Sequence, residues 1–187
     1  SAWVLESVGR QWAALKVKDF YSISNGITIE DRWDMASDDL VRFAIDNKWC
    51  KSKEDFSFKN CYSDFLYTFF SQSQQRRFDT FNYIDSHKGA IDVNSLIQLL
   101  RMHKPENKDW QPDLSLTEWT VCVHKGFGPI RASQTTGSMV SRLDEEGDLH
   151  FFTGSSSPCT SFFKPVWLDL HLPISKEPIP GNLFDNA

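Results

Sequence analysis

Four groups of residues carry chemistry worth weighing. Ser1 is the first, because a terminal Ser can attack a carbonyl with its own α-amine as base. That amine has a pKa of about 8 and accepts a proton near neutral pH. Ser1 is equally readable as the point where the chain was cut. Asn25 precedes Gly26 at the end of a strand-like run, where a carboxamide can donate to a developing oxyanion or simply close a turn. Arg76 and Arg77 follow the polar run Ser71 to Gln75. Adjacent helical residues point in different directions, so one guanidinium can turn inward and grip a carboxylate while the other is solvated. The fourth group is Cys122 and His124, which share a face if the segment is a strand. A structural zinc site needs four ligands, usually in closely spaced pairs, and no second pair has a matching spacing. The pair therefore reads as a buried thiol and an ordinary histidine, and no metal is expected. A G-x-S-x-G elbow and a Gly-rich phosphate loop are both absent from the sequence.

These residues must be held by regular elements. Trp3 to Ser7 alternates, Val8 to Arg10 turns, and Gln11 to Val17 returns as a hairpin partner. Phe20 to Ser24 reads as a third strand, ended by Asn25-Gly26. Asp38-Asp39 opens a helix whose apolar face is Leu40, Val41, Phe43, Ala44 and Ile45. Trp49 to Asn60 reads as a loop anchored by Phe56 and Phe58. Phe65, Tyr67, Phe69 and Phe70 form an aromatic cluster, read as core or as a pocket lining. Ser71 to Tyr83 is a helix candidate. Val93 to His103 is another, with Asp92 as N-cap and Pro105 just beyond its end. Strands are expected again at Trp119–His124, Gln134–Leu143, Leu149–Thr153 and Phe162–Leu170. Strands, helices, then strands predict an α+β fold with largely antiparallel sheet over residues 1–172. Residues 173–187, rich in Pro, Asn and Gly, read as a loose or docked tail.

Composition bounds the function. The 187 residues suit one domain. With 15 Phe, 7 Trp and an aromatic share of 14%, the chain is too rich in large apolar groups to be disordered. Net charge is −5 and no basic stripe occurs, which argues against nucleic acid as a partner. No apolar run is long enough for a membrane span, and no signal-peptide layout opens the chain. The four cysteines read as free thiols in a reducing, cytoplasmic compartment.

Several stretches resemble one family. Ala2-Trp3-Val4-Leu5-Glu6-Ser7, Gly9-Arg10, Trp12-Ala13-Ala14 and Val17 resemble the opening hairpin of secernins and the related cysteine dipeptidases. Tyr21 to Asn25 resembles the next strand. Gln134 to Ser141 and Phe151 to Pro165 resemble two later segments of that family. The resemblance implies an N-terminal nucleophile hydrolase fold, a four-layer αββα sandwich. It also implies cleavage of amides or peptides by a terminal Cys, with no cofactor. Asn25 stands where the wider group places an oxyanion-supporting Asn. Arg77, or less favourably Arg76, matches an Arg beside the nucleophile. The family nucleophile lies far upstream of this hairpin, and none of the four Cys matches it. The expected protein is thus a dipeptidase-type hydrolase whose Cys comes from an N-terminal segment or companion chain. Its substrate would be a peptide or small amide, and self-association is left open. Two rivals stand beside it: a non-catalytic secernin-like interaction protein, and a self-contained hydrolase using Ser1.

Overall fold

The computed structural model describes residues 1–64, 71–104, 109–112, 118–126, 128, 131–145 and 147–167. The predicted aromatic cluster at 65–70 and the tail at 173–187 lie outside these residues.

The chain opens with β1 (Trp3–Val8) and β2 (Gln11–Lys16), an antiparallel hairpin in register from Trp3↔Lys16 to Val8↔Gln11. Gly9 holds φ +61° as the first of two loop residues. That is the type II′ requirement which glycine meets without steric cost. The third strand is not residues 20–24. It is the short β3 (Met35–Ala36), paired Ala13↔Ala36 and Ala14↔Met35. The edge is extended by Asp34 N–H to Ala14 O at 2.9 Å and Ser37 N–H to Trp12 O at 3.0 Å. Residues 20–24 leave the ladder because their polar groups are taken elsewhere. Ser22 O accepts from Arg77 Nε at 2.9 Å, and the Ser22 hydroxyl pairs with that of Thr80.

Helix α1 (Leu40–Asp46) places Leu40 and Ala44 on its buried face. The expected 49–60 loop ends in a short helix, α2 (Phe58–Tyr62), whose Ser57 cap accepts from Asn60 N–H. Phe58 N–H and Lys59 N–H donate to Glu30 O and Ile29 O, which satisfies first-turn donors that a helix leaves without partners. Ala13, Ile29, Leu40, Ala44, Phe56, Phe58 and Tyr62 close one continuous core. The anchors Phe56 and Phe58 are both buried, as expected. Tyr62 enters with its hydroxyl donating to Leu40 O at 2.6 Å, so the polar end of the ring is paired.

Helix α3 (Ser73–Ser86) follows Gln72, which sits in the left-handed region at φ 46°. Helix α4 (Val93–Arg101) begins at Asp92 with a reciprocal capping box to Ser95. It packs on β4 (Met139–Arg142), which pairs antiparallel with β5 (Leu149–Thr153). Strand β6 (Phe163–Trp167) completes this sheet at its edge, where Pro165 removes no ladder donor that is needed. The architecture is mixed α and β, with two antiparallel three-stranded sheets among the described residues. The expected strand at 119–124 is not a strand: the backbone bends at Val121 and Cys122, and the segment joins no ladder among the described residues. Cys122 N–H donates to Met102 O, and Val123 exchanges bonds with the side chain and N–H of Thr135. Only 139–142 of the predicted 134–143 strand is paired. Among the described residues no helix is long and apolar enough to cross a membrane.

Candidate functional site

A cleft of about 670 Å³ opens between the 24–28 segment, α2 and the first two turns of α3. Ser24, Ser73, Arg77 and Asn60 supply polar groups, and Phe78 and Phe81 supply an apolar wall. The 24–28 segment is fixed from below by Glu6. Its carboxylate accepts from Thr28 N–H at 2.8 Å, Thr28 Oγ1–H at 2.7 Å and Ile29 N–H at 2.8 Å. The Thr28 hydroxyl also meets Tyr21 Oη at 2.9 Å. A carboxylate taking several donors at once holds a loop rigidly, since each bond is charge-assisted.

Next in the chain to the cleft residues Ser24, Gly26 and Arg77, the structure joins two residues about fifty positions apart. Arg76 Nη2 donates to Asn25 Oδ1 at 2.7 Å. Arginine offers no acceptor, so the atom facing it is the amide oxygen, and the Asn25 NH₂ must point elsewhere. Asn25 is exposed, and its NH₂ is thereby presented as a donor. Arg76 is half-buried, 5.7 Å from the centre of the Trp119 ring, and burial lowers its pKa from the ordinary value. Arg77 lines the cleft itself, held by its Nε bond to Ser22 O and by the Tyr21 ring at 5.8 Å. The two arginines therefore split the expected role: Arg76 holds Asn25, and Arg77 faces the cavity. The hydroxyls of Ser24 and Ser73 are buried there with no hydrogen-bond partner among the described residues. Unsatisfied buried hydroxyls beside a cavity are available to a ligand. Ser1 is exposed and does not line the cleft.

A second constellation lies beyond α4. The ligating atoms of His103, Cys122, His124 and Cys159 all fall within 4.8 Å of one another. His124 Nε2 is 3.0 Å from His103 Nε2, 3.5 Å from Cys122 Sγ and 3.3 Å from Cys159 Sγ. The expectation that Cys122 and His124 stand alone is thus corrected. Their partners come from the exit of α4 and from the loop before β6, at distances no local spacing rule would join. All four cysteines are free thiols, as expected. Burial pushes the Cys122 thiol up to about 12, a shift that the Cys159 backbone opposes and the Cys159 side chain supports. Burial also lowers the pKa of His124, helped by the charge of Arg131, and that of His103, helped by His124. Both shifts favour the neutral imidazole.

The described surroundings are polar. Arg131 is buried and donates to Glu118 O at 2.7 Å and to Pro112 O. A side chain at Gly126 would collide with its guanidinium, which accounts for glycine there. Arg101, in the last turn of α4, donates from Nε to Pro158 O at 2.9 Å and from Nη2 to Ser161 O at 2.8 Å. It therefore clamps the loop that carries Cys159. Glu6, His103, Cys159 and Arg101 were not singled out from sequence. Glu6 did leave a signal, as an acid directly after the apolar Trp3 to Leu5 run.

No protein-family model matches this chain, and no solved structure matches it.

Proposed function

We propose that this chain carries the oxyanion and substrate-binding part of an amide hydrolase of the secernin and cysteine-dipeptidase type, folded as part of an αββα sandwich. The observation that carries the reading is the Arg76–Asn25 bond, which engages the amide oxygen and leaves the carboxamide NH₂ to donate, beside the cleft-lining residues Ser24, Gly26 and Arg77 in the chain. The substrate is a peptide or small amide. Its carboxylate lies against Arg77, the Ser24 and Ser73 hydroxyls and the N-terminus of α3, all of which favour negative charge. A thiolate from a segment outside this chain attacks the amide carbon. The carbonyl oxygen gains charge and Asn25 Nδ2–H stabilises it. The amine leaves with a proton from the nucleophile's own α-ammonium, and water then cleaves the thioester. Trp3, Leu5, Met139 and Trp167 are exposed along the sheets, a distribution suited to cover by the segment that brings the nucleophile.

The test uses the protein that contains the nucleophile. Asn25→Ala is expected to lower turnover about a hundredfold or more, with substrate affinity little changed. An unaltered rate would remove Asn25 from the mechanism. Absence of peptide hydrolysis by the parent protein would leave the non-catalytic interaction protein as the better reading.

A further inference from the structure

We propose that His103, Cys122, His124 and Cys159 form a closed, four-coordinate site for a zinc-type divalent ion that fastens the C-terminal half of the molecule. The site is separate from the cleft and does not depend on its assignment.

The geometry points there first. Zinc binds thiolate sulfur at about 2.3 Å and imidazole nitrogen at about 2.0–2.1 Å in tetrahedral arrays. Those bond lengths place two nitrogens about 3.3 Å apart, and a nitrogen and a sulfur about 3.6 Å apart. The His103–His124 separation is 3.0 Å, and His124 lies 3.5 Å and 3.3 Å from the two sulfurs. These three separations are within a few tenths of an ångström of a tetrahedral edge, and all four ligating atoms lie within 4.8 Å of one another.

Hydrogen bonding alone does not account for the cluster. His124 Nε2 has three neighbours, yet a neutral ring nitrogen offers either one proton or one lone pair. At most one of the three contacts is a good hydrogen bond. A cation at their centre gives every donor atom a use. Binding releases the two thiol protons, so two thiolates balance the ion's charge and the finished centre is neutral. That suits an interior that already holds the buried Arg131. Two sulfurs and two imidazoles favour zinc over magnesium or calcium, which take oxygen ligands. Four protein donors leave no open position, which marks a structural rather than a catalytic centre.

Each ligand is aimed by its own support. His124 Nδ1 lies 3.4 Å from Ser157 Oγ, and the His103 ring stacks on buried Trp110 at 4.6 Å. Cys122 is fixed through its N–H to Met102 O, and its carbonyl accepts from Thr120 Oγ1 at 2.6 Å. Cys159 follows Ser157, which keeps a left-handed φ of 64° while its N–H donates to Thr135 O. Holding a serine in that conformation is unfavourable unless its surroundings impose it.

The test is titration of the reduced, chelator-treated chain with cobalt(II). The expected result is one equivalent bound with the intense visible absorption of a tetrahedral ion and thiolate charge-transfer bands. One equivalent of zinc should bleach both. Cys159→Ser, at a half-buried position, should weaken cobalt binding at least a hundredfold while far-ultraviolet circular dichroism keeps its shape. If that variant does not fold, competition between the parent chain and a chromophoric zinc chelator gives the same answer. A pale octahedral cobalt spectrum, or zinc affinity no better than that of free imidazole, would overturn the proposal. So would a Cys122–Cys159 disulfide in metal-free protein purified without reductant and unable to take up zinc after reduction.

Discussion

The two halves of the molecule are held by different means. Around β1, β2, α1 and α2, the buried residues are Ala13, Ile29, Leu40, Ala44, Phe56, Phe58 and Tyr62, an apolar core in which the one hydroxyl is bonded to Leu40 O. Around α4 and the second sheet, the buried set includes Thr120, Cys122, Arg131, Ser157 and Ser161 beside Leu99, Trp110, Val123 and Val140. The first half follows from burial of apolar surface, which is non-directional and tolerant of small shifts. The second depends on directional groups that are costly if left unmade. A four-ligand metal centre resolves that difference, since it supplies in one place the cohesion that a thin apolar core does not.

Changes at the two centres should separate these modes. The largest stability loss is expected from Phe58→Ala, because Phe58 is fully buried among Ile29, Leu40 and Tyr62. It should cost about 3–5 kcal/mol in denaturant unfolding and leave metal content unchanged. Linked loss of metal would mean that the halves are one cooperative unit. Arg101→Ala removes the clamp on the Pro158–Ser161 loop without touching a ligand atom. Metal affinity should fall about 10–100-fold, as for other groups that orient a ligand, and Arg101→Lys should recover little of it. An unchanged affinity would show that the loop holds Cys159 unaided.

The smallest effect belongs to Tyr62. Burial, with Asp39 nearby, raises its pKa from the ordinary 10 to about 12. The folded form therefore resists ionisation that the unfolded chain permits. The Tyr62 contribution is complete below pH 10 and is lost as pH climbs toward 12. Tyr62→Phe should cost about 1 kcal/mol at neutral pH through the lost bond to Leu40 O, and should flatten the alkaline decline. A decline of the same steepness in Tyr62→Phe would place its cause elsewhere.

The sequence exposes what is local. The β1–β2 hairpin, the Leu40 and Ala44 face of α1 and the Asp92 cap of α4 are written in neighbouring residues, and the structure has them where periodicity puts them. Long-range choices were not legible. Residues 20–24 have strand-like composition, but Arg77 and Thr80 claim Ser22 across more than fifty positions. Asn25 and the Arg76-Arg77 pair could be named as candidates, yet which arginine meets Asn25 depends on the rotation of α3. The Cys122–His124 pair carried half of the metal signal. Its other half, His103 and Cys159, is recruited by the turn of α4 and the Arg101 clamp, and no spacing pattern encodes that meeting.

Hydrogen exchange of the full chain, compared with and without one equivalent of zinc, tests the central claim most directly. Protection should rise for the amides of Cys122, Val123 and Thr135 and for those of the 157–161 loop. It should stay constant through β2, α1 and α2. Equal protection in both states across the second half, or a uniform rise through both halves, would contradict a molecule fastened by an apolar core at one end and a metal at the other.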